Sequence, residues 1–259
     1  MGDLLVTERN KRKNKNLLIW VLAVLLIAVP AVLLGRIFLQ YQQARQEYAG
    51  LAAAYTKQEL QAGQTPLLSV DWEQLRAENK DVVGWIEMPV LSVLNYPVVR
   101  GEDDSFYLNH SYTGAYRPAG AIFMEAQNSE TFGDLHTIVY GHNVKDGSMF
   151  GGLTKFKDKT FYEKNGGSFM LYTPNGSWKY EIFSVEAVEV EDPAVYSIGF
   201  RKGPEYEKFL TEMKERSLYD TGVSVDEDDY VITLSTCVSG TSQTRERFVV
   251  HAKCTDKLA

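Results

Sequence analysis

The sequence reads YVITLSTC at residues 230–237 and RFVVHA at residues 247–252, two short β-branched runs that predict neighbouring strands of one sheet. The polar segment between them contains Gly240, which favours a hairpin-like connection. In an antiparallel pair, the end of the first strand and the start of the second lie at the same edge of the sheet. We therefore expect Cys237 and Arg247, ten positions apart, to be close in space.

A thiol next to a positive charge is a candidate nucleophile, because a cation stabilises the thiolate or an oxyanion formed by its attack. A cysteine nucleophile normally also needs a histidine that is near in space rather than in sequence. The run TIVYGH at residues 137–142 predicts another short strand, and it ends in His142, 95 positions before Cys237. Catalytic groups are often displayed at strand ends on a rigid scaffold, so these three residues are the candidates for catalysis.

Other histidines compete with His142 for the catalytic role. His251 follows Arg247 on the same predicted strand but lies four residues, about 13 Å, further along, too far for easy contact with Cys237. His136 precedes its strand and is expected to be solvated, and His110 ends no predicted strand. His142 is therefore favoured.

Arg245 competes with Arg247 for the cationic role, but Arg245 is predicted to lie within the loop, whereas Arg247 opens the strand. The second cysteine, Cys254, shares a strand face with Phe248 and not with Arg247 by the two-residue period. We expect Cys254 to be a structural residue rather than a disulfide partner of Cys237. The cysteine spacing does not match a zinc pattern.

Several motifs around these residues together resemble the sortases, and class B among them most closely. The motifs are TLSTC at 233–237 with an arginine ten positions later, YGHN at 140–143, DGSMF at 146–150, NYPVV at 95–99 and AGAIFM at 119–124.

This resemblance covers roughly residues 69–253 and implies a mainly β fold. Its centre is a sortase-type closed barrel of about eight strands, with N-terminal helices and a long helix before the cysteine strand. The residues themselves predict a barrel or sandwich, because many short β-rich runs are separated by Gly, Pro or Asn. Pro204–Ser217 has helical spacing, as expected for the long helix of class B. The remaining predicted strands are Trp85–Met88, Val98–Val99, Ala121–Met124, Thr137–Tyr140, Ser168–Tyr172 and Trp178–Val185.

By the same resemblance, Cys237 is the nucleophile, His142 the acid and base, and Arg247 the oxyanion-stabilising cation. Ser235 and Thr236 could contact the substrate or could be ordinary strand residues. The other residues expected in the peptide groove are Leu108, Asp104, Tyr196 and Asn143. Val238 stands where some class B members carry an acidic residue. The resemblance implies no cofactor and no metal.

The implied activity is that of a cysteine transpeptidase acting through a thioacyl-enzyme intermediate. Such an enzyme cleaves the C-terminal sorting signal of a secreted protein after threonine, at an NPxTN- or PxTG-like motif. It then joins that protein to the amine of a cell-wall precursor of the lipid II type. Three alternatives remain: a secreted cysteine protease with water as acceptor, a non-catalytic β-domain that binds peptides or wall polymer, and a pilus-polymerising sortase. The last is disfavoured because residues 67–81 contain no clear lid segment.

The charge of the chain is unevenly distributed. The net charge of −7 argues against a nucleic-acid-binding protein, which would usually present a basic face. Residues 1–16 carry five basic and two acidic groups, a net charge of +3, so the remainder carries −10. The eighteen residues from Leu17 to Leu34 are all apolar or small, and Ile37, Phe38 and Leu39 extend the apolar segment. As a helix, residues 17–39 would span ~33 Å, enough to cross a bilayer.

These features predict four regions: a basic cytoplasmic tail (1–16), a transmembrane anchor (17–39), a helical stalk (40–66) and an extracellular catalytic domain (67–259). The helical prediction covers Arg36–Leu60. Because basic residues flank the cytoplasmic end of a membrane helix, we expect a single-pass protein of the cell membrane with its N-terminus inside. A cleaved signal peptide is the alternative, but its apolar core would be shorter and a cleavage site would follow closely.

Overall fold

The computed structural model describes residues 2–59, 67–190, 192–237 and 246–258. The contacts within the chain divide it into two compact units, Met1–Gln43 and Ala44–Ala259. The first unit lies wholly within one long helix, α1 (Gly2–Tyr55). Within that helix, Ile19–Gln40 is long and apolar enough to cross a membrane, and none of it is buried.

The start of the second unit differs from the expected stalk. The predicted helix over Arg36–Leu60 is wrong at its end, because α1 stops at Tyr55 and Thr56–Glu59 form strand β1. This strand pairs antiparallel with β2 (Leu67–Val70), which satisfies backbone groups that a longer helix would have paired internally. The last turns of α1 belong to the second unit, which begins at Ala44.

A short helix, α2 (Trp72–Glu78), leads from β2 into the barrel. The Asp71 carboxylate caps its start by accepting a hydrogen bond from the Gln74 backbone N–H, 3.1 Å long. Capping of this kind satisfies one of the free N–H groups at a helix N-terminus.

Eight further strands close into a barrel, as expected. They are β3 (Val82–Glu87), β4 (Asn95–Val99), β5 (Ile122–Met124), β6 (His136–His142), β7 (Ser168–Thr173), β8 (Gly176–Glu189), β9 (Val231–Cys237) and β10 (Glu246–Lys257). Their order around the barrel is β10-β8-β7-β3-β4-β5-β6-β9. Each strand overlaps one of the β-rich runs recognised in the sequence, and most of their side chains are buried.

Two helices accompany the barrel, α3 (Lys159–Asn165) and α4 (Pro204–Glu215). Helix α4 is the long helix expected before the cysteine strand. Its buried residues Tyr206, Phe209, Leu210 and Met213 recur at helical spacing. They pack with Phe183 and Val249, among others, in one hydrophobic cluster that fixes the helix against the strands β8 and β10.

The pairing of three neighbouring strands determines the position of the candidate site. Strand β6 runs parallel to β9, with His142 opposite Cys237, and β9 runs antiparallel to β10, with Ser235 opposite Val249. The ends of β6 and β9 and the beginning of β10 therefore lie at the same edge of the barrel. Strands β6 and β9 are connected only through a long stretch of chain, as parallel neighbours require.

A chain of buried polar groups crosses these same strands. The expectation that His136 is solvated is wrong, because His136 is the first residue of β6 and is completely buried. Its Nε2 lies 2.7 Å from the Thr233 hydroxyl, and its Nδ1 donates to the Ser197 carbonyl, 2.6 Å away. The Thr233 hydroxyl also lies 2.8 Å from Nδ1 of His251, whose Nε2 faces the Glu186 carboxyl at 3.0 Å. Pairing of the strands thus satisfies polar groups that burial would otherwise penalise.

We expect the buried His136 to make the stability of the protein sensitive to acid. Burial lowers the pKa of His136 to about 3, below the usual value of an unfolded histidine of about 6.5. The folded form therefore resists a proton that the unfolded form accepts, so stability is retained above pH ~6.5 and lost as pH falls toward 3. Between those two pH values, each unit by which the pH falls should reduce the free energy of unfolding by about 1.4 kcal/mol through His136 alone. Urea titrations of the full chain in detergent, followed by tryptophan fluorescence, measure this dependence.

Carboxyl groups titrate in the same range, so the test compares variants. The His136→Gln variant should lose part of the acid slope, whereas His110→Gln, at a partly exposed site, should keep it. Equal slopes in the wild type and in His136→Gln would contradict the assignment.

Candidate active site

The three residues predicted to be catalytic lie on strands whose ends meet. His142 is the last residue of β6 and is paired in register with Cys237, the last residue of β9. Continuing the β9–β10 register by two pairs beyond Ser235 and Val249 brings position 247 opposite position 237. The side chain of Cys237 lies outside the described part of the structure. Its backbone position is nevertheless next to both His142 and Arg247.

The imidazole of His142 is held in one orientation. Its Nε2 lies 2.7 Å from the Leu108 carbonyl oxygen, so this nitrogen carries the hydrogen and donates. In the neutral ring the lone pair is then on Nδ1. This atom is buried and has no hydrogen-bond partner among the residues that the structure describes. The ring can therefore accept a proton at Nδ1 from a group at the neighbouring strand end.

The surroundings of His142 favour its neutral form. The side chain is only 8 % exposed, and burial lowers its pKa. The positive charge of Arg247 lowers the pKa further, while the hydrogen bond to Leu108 opposes both effects. His142 is therefore neutral in most molecules at pH 7.

Arg247 is partly exposed at the start of β10, and its Nη1 donates to the Thr236 carbonyl, 3.2 Å away. The Thr236 hydroxyl is buried and bonds to the backbone N–H and carbonyl of Phe248, at 3.0 and 3.1 Å. Thr236 thus joins the two strands and fixes the backbone next to Arg247. Arg247 also lines a cleft at this end of the barrel, where its guanidinium can bind negative charge.

A cleft of about 200 Å³ lies beside Arg247. Three of the predicted groove residues, Asp104, Leu108 and Tyr196, line it. Ser235 is buried behind the cleft, with its hydroxyl 3.0 Å from that of Tyr196. Asn143 lies elsewhere, since it pairs with Met149 in an isolated bridge and lines a different hollow of about 510 Å³. Its side chain is therefore not brought to the cleft with the others.

Comparison with known proteins identifies this arrangement. The sequence model of the Sortase domain matches residues 86–255, which include both strand ends, the cleft and Arg247. The chain belongs to the sortase family. Sortases are cysteine transpeptidases, and this sortase is therefore an enzyme of that kind.

The similarities are strongest to class B. Sortase B of Listeria monocytogenes is 33 % identical over 205 residues, which are 79 % of this chain and 82 % of that protein. The crystal structure of sortase B from Bacillus anthracis in complex with AAEK1 has 32 % identity and a TM-score of 0.72, covering 85 % of this chain and 100 % of that one. The Staphylococcus aureus sortase B–substrate complex has 34 % identity and a TM-score of 0.68, covering 73 % and 85 %.

The cleft of this sortase contains residues that sequence reasoning did not select. They are Phe123, Tyr140 and Val190. Phe123 lies within the AGAIFM motif and Tyr140 within the YGHN motif. Membership of these motifs could therefore have marked both residues as candidates for the cleft. Val190 follows β8 and belongs to no motif.

One end of the cleft is acidic. The Tyr140 hydroxyl donates to the buried Glu125 carboxylate, 2.8 Å away, and Asp104 accepts from the Ala126 backbone N–H at 2.8 Å. Burial, together with the neighbouring Glu125, raises the pKa of Asp104 to about 6. Near neutral pH this end of the cleft can therefore both accept and donate hydrogen bonds. Among the described residues, no three histidine, cysteine or acidic side chains are grouped so as to hold a metal ion.

Proposed function

We propose that this sortase cleaves a C-terminal sorting signal after threonine and transfers the resulting acyl group to a cell-wall precursor amine. The observation that carries the proposal is the common edge at which the ends of β6 and β9 meet the start of β10, beside one cleft. A thiol, an imidazole and a guanidinium at one edge of the barrel are the groups that acyl transfer through a thioester requires.

In the first step, the Cys237 sulfur attacks the carbonyl carbon of the signal's threonine. Nδ1 of His142 takes the thiol proton, and the negative charge on the carbonyl oxygen is stabilised by Arg247 and by backbone N–H groups near Cys237. When the C–N bond breaks, His142 returns the proton to the leaving amine. The product is a thioester between Cys237 and the threonine.

In the second step, an incoming amine attacks the thioester carbonyl. His142 removes a proton from this amine, the C–S bond breaks and an amide forms, which restores the Cys237 thiol. Arg247 again lies beside the developing oxyanion. An amine of a lipid II-type precursor as acceptor would leave the substrate protein fixed to the cell wall.

The protonation of the pair limits the active fraction. An ordinary thiol has a pKa near ~8.5 and an ordinary imidazole near ~6.5, so both are mostly neutral at pH 7. Burial of His142 lowers its pKa and makes the imidazolium less abundant still. Arg247 acts in the opposite direction on the thiol, since a nearby cation favours the thiolate. We infer that a small thiolate–imidazolium population carries the reaction.

Three residues that line the cleft are proposed to contact the sorting signal: Asp104, Leu108 and Tyr196. Ser235 is buried behind the cleft and is proposed to act through its hydrogen bond to the Tyr196 hydroxyl. The related Staphylococcus aureus sortase B has been solved as a substrate complex, which supports a peptide in the corresponding groove. An NPxTN-like or PxTG-like signal is the proposed substrate. The amides and hydroxyls of such a peptide match the polar groups of the cleft.

The N-terminal helix is proposed to anchor the enzyme. Ile19–Gln40 is long enough to cross a bilayer, and residues 1–16 carry a net charge of +3. Since positive flanks remain in the cytoplasm, the catalytic unit would lie outside the cell membrane, where secreted substrates and wall precursors are found.

The test uses the full chain in detergent with a panel of signal peptides of both motif types, with and without triglycine. We expect one motif type to give a threonyl–triglycine adduct, identified by mass spectrometry. Hydrolysis without any adduct at high triglycine would indicate a protease instead. A non-catalytic peptide-binding domain would turn over no peptide, and its Cys237 would not react with a methanethiosulfonate.

A further inference from the structure

The last turns of α1 carry a buried tyrosine that contacts the active-site region. Tyr48 is only 5 % exposed, and its hydroxyl donates to the Gly120 carbonyl, 2.9 Å away. The hydroxyl oxygen of Tyr48 also accepts a hydrogen bond from the Tyr112 backbone N–H, 3.3 Å away. The ring packs edge-on against Tyr96 with 5.2 Å between centroids. A side chain enclosed in this way restricts the backbone segments that it contacts.

The first of these segments supports the His142 ring. Gly120 has a φ of +61°, and a Cβ there would lie 2.8 Å from the Leu108 carbonyl oxygen and 3.1 Å from Cδ2 of His142. The Gly120 backbone is thus in close contact with the His142 imidazole and with the Leu108 carbonyl, which orients that ring. Ala121 N–H also donates to the Tyr107 carbonyl at 3.0 Å, so the two segments are joined. Tyr48 stabilises these two joined segments through its hydrogen bond to the Gly120 carbonyl.

The second segment contacts the backbone of His142. The Tyr96 hydroxyl accepts from the Met149 backbone N–H at 3.1 Å, and Met149 pairs with Asn143. Phe150 N–H donates to the carbonyl of His142 itself at 3.0 Å. Through its contact with the Tyr96 ring, Tyr48 therefore also supports the loop that holds the His142 backbone.

An ion pair between Glu47, on the same helical turn as Tyr48, and Arg117 adds to this attachment. Glu47 accepts from Nε of Arg117 at 3.0 Å and from the Ser111 hydroxyl at 2.9 Å. Arg117 N–H in turn donates to the Asn109 carbonyl, 2.8 Å away and one residue after Leu108. One turn of α1 thus holds the Leu108–Gly120 region at several points.

We propose that Tyr48 is a positioning residue for catalysis, which keeps the His142 imidazole in its hydrogen bond to Leu108. This inference rests on the proposed role of His142. It makes the end of the N-terminal helix part of the support of the active site rather than a spacer.

The test is Tyr48→Phe in the full chain in detergent, which removes the hydroxyl and keeps the ring. We expect kcat to fall by about 5- to 10-fold with KM unchanged, because a small misplacement of the imidazole affects the reaction and not the bound peptide. We also expect the pKa of His142 to decrease further, since the hydrogen bond to Leu108 is the contact that raises it. NMR of the imidazole signals, assigned with His142→Gln, measures this pKa.

The matched control is Tyr55→Phe on the same helix, whose hydroxyl bonds to Glu78. It should leave kcat and the His142 titration as in the wild type. A Tyr48→Phe protein with lower thermal stability but unchanged kcat and unchanged titration would overturn the inference, as would an equal effect of Tyr55→Phe. The NMR measurement needs no turnover, so it decides the inference even if the wild type forms no adduct and the proposed function fails.

Discussion

The Cys237→Ala variant is expected to form no transpeptidation product and no thioester. Removing the nucleophile of a covalent mechanism leaves only binding and oxyanion stabilisation, so kcat should fall by roughly 10⁴-fold or more. Adduct formation between the signal peptide and triglycine, together with intact-mass detection of the acyl-enzyme, measures this loss. The fold should be unchanged, because the alanine can keep the strand backbone that pairs with His142.

The matched control is Cys254→Ala. Cys254 is a free, half-buried thiol further along β10, and burial raises its pKa, which makes it a poor nucleophile. This variant should retain wild-type activity and should still show one acyl-enzyme. Activity that survives Cys237→Ala, or that disappears with Cys254→Ala at unchanged stability, would rule out the proposed mechanism.

Arg247→Ala should produce the second largest loss, about 10²- to 10³-fold in kcat. The guanidinium is proposed to stabilise the oxyanion in both steps and to favour the thiolate of Cys237, and neither effect is available to alanine. Steady-state kinetics with the preferred signal peptide gives kcat and KM separately. We expect the larger change in kcat, because charge on the carbonyl oxygen develops only in the transition state.

Two other arginine variants make the test specific. Arg247→Lys keeps a positive charge but lacks the planar fork of donors, so it should recover only part of the activity. Arg245→Ala should be close to the wild type; this residue lies outside the described part of the structure. If Arg245→Ala lost as much activity as Arg247→Ala, the choice between the two arginines would be wrong.

The strands could be predicted from the sequence because their signals are local. Runs such as YVITLSTC and TIVYGH are rich in β-branched residues, and α4 shows its helical period directly. The order of the strands is not local information, and the closed barrel came from the resemblance to sortases. The strand Thr56–Glu59 was missed because its sequence suits a helix and its partner, β2, determines its structure.

The candidate site shows the same difference between local sequence signals and contacts of distant residues. Cys237 and Arg247 could be brought together from a hairpin argument, but the parallel pairing of β6 with β9 could not be derived from spacing. His136 was expected to be solvated because it precedes the predicted strand, and its burial depends on Thr233, a partner 97 residues away. The support from Tyr48 was also hidden, since its contacts reach Tyr96 and Gly120, far along the chain.

The parallel pairing of β6 and β9 also bears on when the enzyme becomes reactive. Strand β9 can reach β6 only after the intervening chain has folded, and contacts between such distant residues form slowly. Until the barrel has closed, the chain therefore carries an ordinary, unactivated sulfhydryl group. Closure of the barrel and onset of reactivity are thus one event, because only the paired strands bring His142 next to Cys237.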